Sequence, residues 1–227
     1  MIQKAHDAYN SGDYKIAFAL YTTFAEQNDP VALTSLGFMY QNALACEKDE
    51  QKAIEFYTKA AEQNYPHALY NLGVIYMNGF GTSPDQFKAH DYFMQAAILE
   101  VPQAMYEIAL MLERGLGCLQ NFSEAAFWYE EAAKRSHPEA FNNLGVLYKD
   151  AHGVEENFDR AFLCFSRAAE MGLAQALYNL GLMHDQGLGC EQNHDMALEY
   201  CRKAAHKGHE KAKSIIRSMQ EEGKIVF

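Results

Sequence analysis

The sequence predicts an all-α fold, a solenoid of about six stacked helix pairs with a terminal helix. Three observations predict it. A pattern recurs every 36 residues, each period holds two amphipathic helical stretches, and Pro, Gly and Asp/Asn punctuate both at fixed phases. Ala32-Leu33-Thr34-Ser35-Leu36-Gly37 aligns with Ala68-Leu69-Tyr70-Asn71-Leu72-Gly73, and again with the stretches starting at Ala104, Ala140 and Ala176. Two further registers keep the same step: Ala53, Ala89, Ala125, Ala161 and Ala197, and the Ala-Ala pairs at 60, 96, 132, 168 and 204.

The elements follow in order. In the first helix of a repeat, Ala32, Leu36 and Tyr40 fall on one face. Pro30, Pro66, Pro102 and Pro138 stand where that helix begins, at a position whose N–H would be unpaired anyway. Gly79-Phe80-Gly81, Gly115-Leu116-Gly117 and Gly187-Leu188-Gly189 end it by allowing positive φ. Asp49, Asp85, Asn121, Asn157 and Asn193 precede the second helix as N-cap candidates. That helix buries Ala53, Phe56, Tyr57, Ala60 and Ala61, and Gly172 and Gly208 mark the turn into the next repeat. Gly37, Gly73, Gly145 and Gly181 sit mid-helix, where glycine costs ~1 kcal/mol against alanine. The expected reason is close approach of the alanine-rich second helix, with Ala109 as the exception.

The pattern resembles the Sel-like repeat family, relatives of tetratricopeptide proteins. The resemblance is carried by Ala-Leu-Tyr-Asn-Leu-Gly-x-x-Tyr at 68–76, Asn-Gly-Phe-Gly at 78–81, and Lys-Ala at 52–53 with Ala-Ala at 60–61. It covers five repeats, 30–65, 66–101, 102–137, 138–173 and 174–209. Residues 1–29, with Ala8-Tyr9, Gly12-Asp13-Tyr14 and Ala17, read as a tetratricopeptide-like capping unit, and 210–227 as a capping helix and tail. The tail Lys224-Ile225-Val226-Phe227 ends apolar and is expected to fold back on the cap or to bind something. The resemblance implies a right-handed superhelix whose first helices line its concave side.

Charge narrows the function. The net charge of −11 argues against a nucleic-acid ligand, which needs a basic footprint. Residues 1–199 carry 12 Lys/Arg against 27 Asp/Glu, a balance of −15, while residues 200–227 carry 7 against 3, a balance of +4. A partner with positive charge is expected, or weak self-association through the unlike ends. No apolar run is long enough for a membrane span, and Met1–Asp7 has no signal layout.

No motif carries chemistry. The five cysteines lack the two-per-repeat spacing of disulfide-bonded secreted relatives, which points to a reducing compartment, the cytoplasm. The alternative is an exported or host-delivered bacterial protein that has lost its signal. Cys164 and Cys201 replace aromatic residues of the second helices. Cys118 and Cys190 precede helix N-termini that favour a thiolate, which keeps a thiol-dependent enzyme as an alternative. The nine histidines form no zinc spacing, His206 and His209 included, and the Gly-x-Gly loops follow helices rather than strands, so no metal, phosphate or cofactor site is expected.

Candidate binding residues lie on the first helices. One phase holds Ser35, Asn71, Glu107, Asn143 and Asn179, and its neighbour holds Tyr70, Tyr106, Asn142 and Tyr178. One turn on come Val74, Leu110, Val146 and Leu182, with Arg114 further along. An asparagine amide donates and accepts, so a ladder of them can pair with the backbone of an extended peptide. Tyrosines and apolar anchors add contact area. Ser35 and Glu107 interrupt the ladder. The expected function is a non-enzymatic scaffold or adaptor binding a protein segment along the concave groove. An immunity-type or host-delivered protein that blocks a partner enzyme is the alternative.

Overall fold

The computed structural model describes residues 2–222. The tail expectation for 224–227 falls outside them. Among the described residues are thirteen α-helices and no strand. They are α1 (Gln3–Asn10), α2 (Tyr14–Ala25), α3 (Pro30–Gln41), α4 (Glu50–Ala61), α5 (Pro66–Asn78), α6 (Gln86–Ile98), α7 (Pro102–Arg114), α8 (Phe122–Lys134), α9 (Pro138–Asp150), α10 (Phe158–Glu170), α11 (Ala174–Gln186), α12 (His194–His206) and α13 (Glu210–Glu221). The fold is an α/α solenoid with two units, Met1–Gln120 and Asn121–Phe227. Within each unit the principal packing is between consecutive helices. No described helix is long and apolar enough to cross a membrane.

The punctuation behaves as its chemistry requires. Pro30, Pro66, Pro102 and Pro138 open α3, α5, α7 and α9. The side chains of Asp49, Asp85, Asn121, Asn157 and Asn193 each accept the backbone N–H three residues on, at the start of α4, α6, α8, α10 and α12. Each such cap stabilises its helix by about 1 kcal/mol. Gly79, Gly115 and Gly187 close α5, α7 and α11 in the left-handed region. Ala151 does the same for α9 at φ 56°. Its Cβ makes that conformation costlier by roughly 1–2 kcal/mol.

Three of the four mid-helix glycines face aromatic rings, not the alanine surface expected from the sequence, while Gly181 faces Ala197 as expected. In the first unit the Tyr57 ring lies on Gly37 and the Phe93 ring on Gly73, and in the second unit the Phe165 ring lies on Gly145. A Cβ on Gly73 would stand 2.5 Å from Phe93 Cδ1. All three rings are fully buried, and each such burial stabilises the fold by roughly 1.5–3 kcal/mol. The alanines serve a different contact: Ala53, Ala60 and Ala68 surround Tyr57 in one cluster with Leu33, Leu72 and Ile75. The Tyr57 hydroxyl donates to Gln41 Oε1 at 3.1 Å, so the buried phenol leaves no polar group unmet.

The second glycine of each loop has a separate cause. Gly81 rests on Glu50 at the start of α4, and Gly117 on Gln86 at the start of α6. In the second unit Gly153 rests on Phe122 of α8, and Gly189 on Phe158 of α10. A methyl group at Gly117 would overlap the Gln86 carbonyl. Each of these four loops therefore docks its backbone on the second helix of the preceding repeat. Ser123 Oγ donating to the Gly153 carbonyl at 2.7 Å reinforces one of these contacts.

Two substitutions test this packing by urea unfolding. Gly73→Ala is expected to lower stability by about 1–3 kcal/mol through overpacking against Phe93, although alanine is the better helix former by ~1 kcal/mol. Unchanged or higher stability removes the ring contact as the reason for glycine. Ala151→Gly is expected to raise stability by about 1 kcal/mol by relieving the left-handed alanine. A loss there shows that the α9 terminus is not strained.

Candidate functional site

The fourteen candidate residues lie on the first helices α3, α5, α7, α9 and α11. In the first unit Ser35 is half-buried, and its hydroxyl donates to the Val31 carbonyl at 2.8 Å within α3. Tyr70, Asn71 and Val74 are half-buried on α5, and the Tyr70 ring packs against Phe93 with centroids 5.6 Å apart. The Asn71 amide has no side-chain hydrogen-bond partner among the described residues. On α7, Tyr106, Glu107 and Leu110 are half-buried and Arg114 is exposed.

Glu107 gives this face its electrostatic character. Burial pushes its carboxyl above the ordinary carboxylate range, and the Arg114 charge only partly opposes that shift. Burial also raises the Tyr70 hydroxyl, and the Glu107 charge adds to it. Tyr70 and Glu107 are therefore electrostatic neighbours carried by α5 and α7. Those helices open on Pro66 and Pro102, close on Gly79 and Gly115, and are seated by buried residues such as Leu72 and Ile108.

The second unit is built differently. Its amides bond to one another in a chain. Gln175 Nε2 donates to Asn179 Oδ1 at 3.3 Å, and Asn179 Nδ2 donates to Asn142 Oδ1 at 2.9 Å. Asn142 Nδ2 donates to Asn143 Oδ1 at 3.2 Å, and Asn143 Nδ2 donates to the Tyr129 hydroxyl at 3.1 Å. Asn142 is only 7% exposed. Its polar group is satisfied within the protein and it offers no surface, whereas the sequence placed it among the groove residues. Val146 packs against the core around Phe165 and Leu180. The Tyr178 ring stacks on His209 at 4.4 Å, and Leu182 is 38% exposed.

Positions 142 and 179 repeat positions 70 and 107 two periods later. Where the second unit joins neighbouring repeats by an amide–amide hydrogen bond, the first unit sets a tyrosine beside a carboxylate. Sequence reasoning missed Gln175 and His209, which extend the network through a 2.9 Å contact between His209 Nε2 and Gln175 Oε1. They are 34 residues apart, so no repeat phase relates them.

None of the five cysteines is in a disulfide. Burial raises the Cys190 thiol and pushes Cys164 up to about 11, the opposite of what a nucleophile needs. Among the described residues, no group of three or more His, Cys, Asp or Glu side chains is arranged to hold a metal.

Comparison with known proteins agrees with the repeat architecture. The Sel1 repeat family model matches residues 11–29, 30–65, 66–100, 102–137, 138–173 and 174–209. No match is found among curated proteins. The structure is similar to that of a Sel1 repeat protein from Oxalobacter formigenes, with a TM-score of 0.91 and 27% identity over 97% of this chain and 91% of that one. It is also similar to a protective antigen of uropathogenic Escherichia coli with an SLR fold, at TM-score 0.86 and 27% identity over 92% of this chain and 45% of the antigen. An immunity protein from Pseudomonas aeruginosa is more distant, at TM-score 0.50 and 26% identity over 79% of this chain and 66% of that one. Six matched repeats, built from consecutively packed helix pairs with capped and glycine-closed ends, place the chain in the Sel1 repeat family.

Proposed function

We propose that the chain is a non-enzymatic scaffold whose first helices take an extended, positively charged protein segment. Sel1 repeat proteins are generally protein-interaction scaffolds, and the reading refines that role. One observation carries it. On α5 and α7 the Asn71 amide and the Glu107 carboxylate both lack a hydrogen-bond partner among the described residues, and the carboxylate is partly desolvated. A desolvated carboxylate costs folding free energy that the Arg114 charge offsets only in part. A lysine or arginine of a bound segment supplies the missing partner. Asn71 can pair with the segment's backbone, and Tyr70, Val74 and Leu110 offer apolar area. The −15 balance of residues 1–199 attracts the same chemistry over longer range.

The second unit supports the reading less directly. Its asparagines are engaged with one another, so they stabilise neighbouring repeats first. Asn143 and Asn179 keep further hydrogen-bonding capacity for a ligand. Five cysteines outside any disulfide support residence in a reducing compartment, the cytoplasm. A second reading, a protein that blocks a partner enzyme, draws on the likeness to the Pseudomonas immunity protein. A short peptide that competes with the natural partner favours the segment reading. A partner that only a folded enzyme can displace favours the blocking one.

Fluorescence anisotropy with extended peptides of lysine-rich, neutral and glutamate-rich composition tests the proposal. The lysine-rich peptide is expected to bind, and to weaken roughly tenfold between about 50 and 300 mM salt. Asn71→Ala and Glu107→Gln are each expected to weaken it several-fold with helicity unchanged. Equal binding of the glutamate-rich peptide, or affinity indifferent to salt, defeats the reading.

Glu107→Gln carries a second expectation, for stability against pH. The folded-state pKa of Glu107 is raised, so the unfolded chain ionises first, near the ordinary ~4.3. The penalty is absent below that value, grows through the folded pKa and is constant above it. The glutamine variant is therefore more stable than the parent at neutral pH, and the two converge in acid. Thermal unfolding at pH 7 and pH 4 checks this. A variant less stable at pH 7 shows that the carboxylate is a stabilising group.

A further inference from the structure

The fifth repeat departs from the others at one packing position, and the departure leaves a hollow. The ring that covers the mid-helix glycine comes from residue 57, 93 or 165, and the same phase in the last repeat is Cys201. No ring lies over Gly181. The nearest atoms to a Cβ built there are the Ala197 carbonyl oxygen at 3.1 Å, the Cys201 nitrogen at 3.5 Å and Tyr200 Cβ at 3.6 Å. A cavity of about 330 Å³ occupies the space between α11, α12 and α13. Gly181, Leu182, Leu198, Cys201, Ile215 and Met219 line it. An apolar cavity of ~150 Å³ suffices to bind benzene, so there is room for one aromatic ring with its methylene.

The repeat also indicates what the ring should carry. In the first repeat the Tyr57 hydroxyl donates to Gln41 Oε1 at 3.1 Å. Four periods after Gln41 stands Asp185, which lines the hollow. One of its oxygens, Oδ1, lies 2.8 Å from His194 Nδ1. The other has no hydrogen-bond partner among the described residues and, on a side chain 55% exposed, can accept a hydroxyl. Tyr178 and Leu182 of the candidate binding face also line this space, so a segment lying on α11 reaches it directly.

We propose that this hollow takes a tyrosine side chain of a bound protein segment. Its ring would occupy the position that Cys201 vacates, and its hydroxyl would donate to Asp185. The proposal rests on the reading that the first helices receive a protein segment. It names the anchor residue of that segment at the last repeat.

The test uses the full chain and three capped tripeptides, Ac-Ala-Tyr-Ala-NH2, Ac-Ala-Phe-Ala-NH2 and Ac-Ala-Ala-Ala-NH2, followed by amide chemical shifts of Gly181, Leu198 and Ile215. The tyrosine peptide is expected to shift these resonances saturably, the phenylalanine peptide to bind about tenfold more weakly, and the alanine peptide to leave them unmoved. Asp185→Ala should bring tyrosine down to the phenylalanine level. Cys201→Tyr, which restores the repeat's own ring, should abolish binding, while Cys201→Ala should retain it. Equal shifts from all three peptides overturn the proposal, as does tyrosine binding that survives Cys201→Tyr. Free p-cresol binding without the tyrosine peptide also overturns it, by reassigning the hollow to a small phenol. Binding that appears only after deletion of residues 223–227 overturns it in favour of the chain's own tail. Loss of lysine-rich peptide binding on Asn71→Ala is read on another helix in another unit, so failure of the hollow and failure of the scaffold reading are separate results.

Discussion

The structure depends on the contact between an aromatic ring and a bare stretch of helical backbone. Gly37, Gly73 and Gly145 have no Cβ, so Tyr57, Phe93 and Phe165 come down onto the helix itself. That contact sets how closely the two helices of a repeat pack. The alanines around each ring, such as Ala53, Ala60 and Ala68 about Tyr57, then fit the gap the ring leaves. Glycine weakens the first helix as an isolated element by ~1 kcal/mol. Burial of the ring more than offsets that loss. The N-caps and loop glycines hold the helices at lengths that keep ring and glycine in register.

Much of this was legible in the sequence because it is local and periodic. Pro66 at a helix start, Asp85 three residues before the N–H it caps, and Gly79 at a left-handed terminus are each decided by neighbours in the chain. The partner of Gly73 was not legible, since alanine and phenylalanine of the second helix both lay within reach of the argument. Contacts between repeats were hidden more deeply. The second loop glycine reads as a turn residue, yet Gly117 is fixed by the Gln86 carbonyl. The amide chain from Gln175 to Tyr129 joins residues that periodicity had placed in a ligand ladder. Burial of Asn142 follows from its neighbours in space, which no single-repeat pattern contains.

The two units use equivalent positions for different ends. Asn142 and Asn179 satisfy each other at 2.9 Å, which makes that junction self-sufficient. Tyr70 and Glu107, two periods earlier, leave a partly desolvated carboxylate without such a match. A repeat scaffold can thus hold one backbone geometry while its first-helix side chains shift from internal glue to open recognition chemistry. The tyrosine-for-asparagine and glutamate-for-asparagine exchanges cost the first unit an inter-repeat hydrogen bond. They give it a charged, partly apolar face, the one proposed to take a cationic segment.

Hydrogen–deuterium exchange of the full chain, with and without a saturating lysine-rich peptide, tests that assignment most directly. The account predicts added protection over 66–78 and 102–114, the first helices that carry Asn71 and Glu107, with 86–98 unchanged. Protection confined to 86–98 or to the loops, with the first helices unaffected, contradicts it.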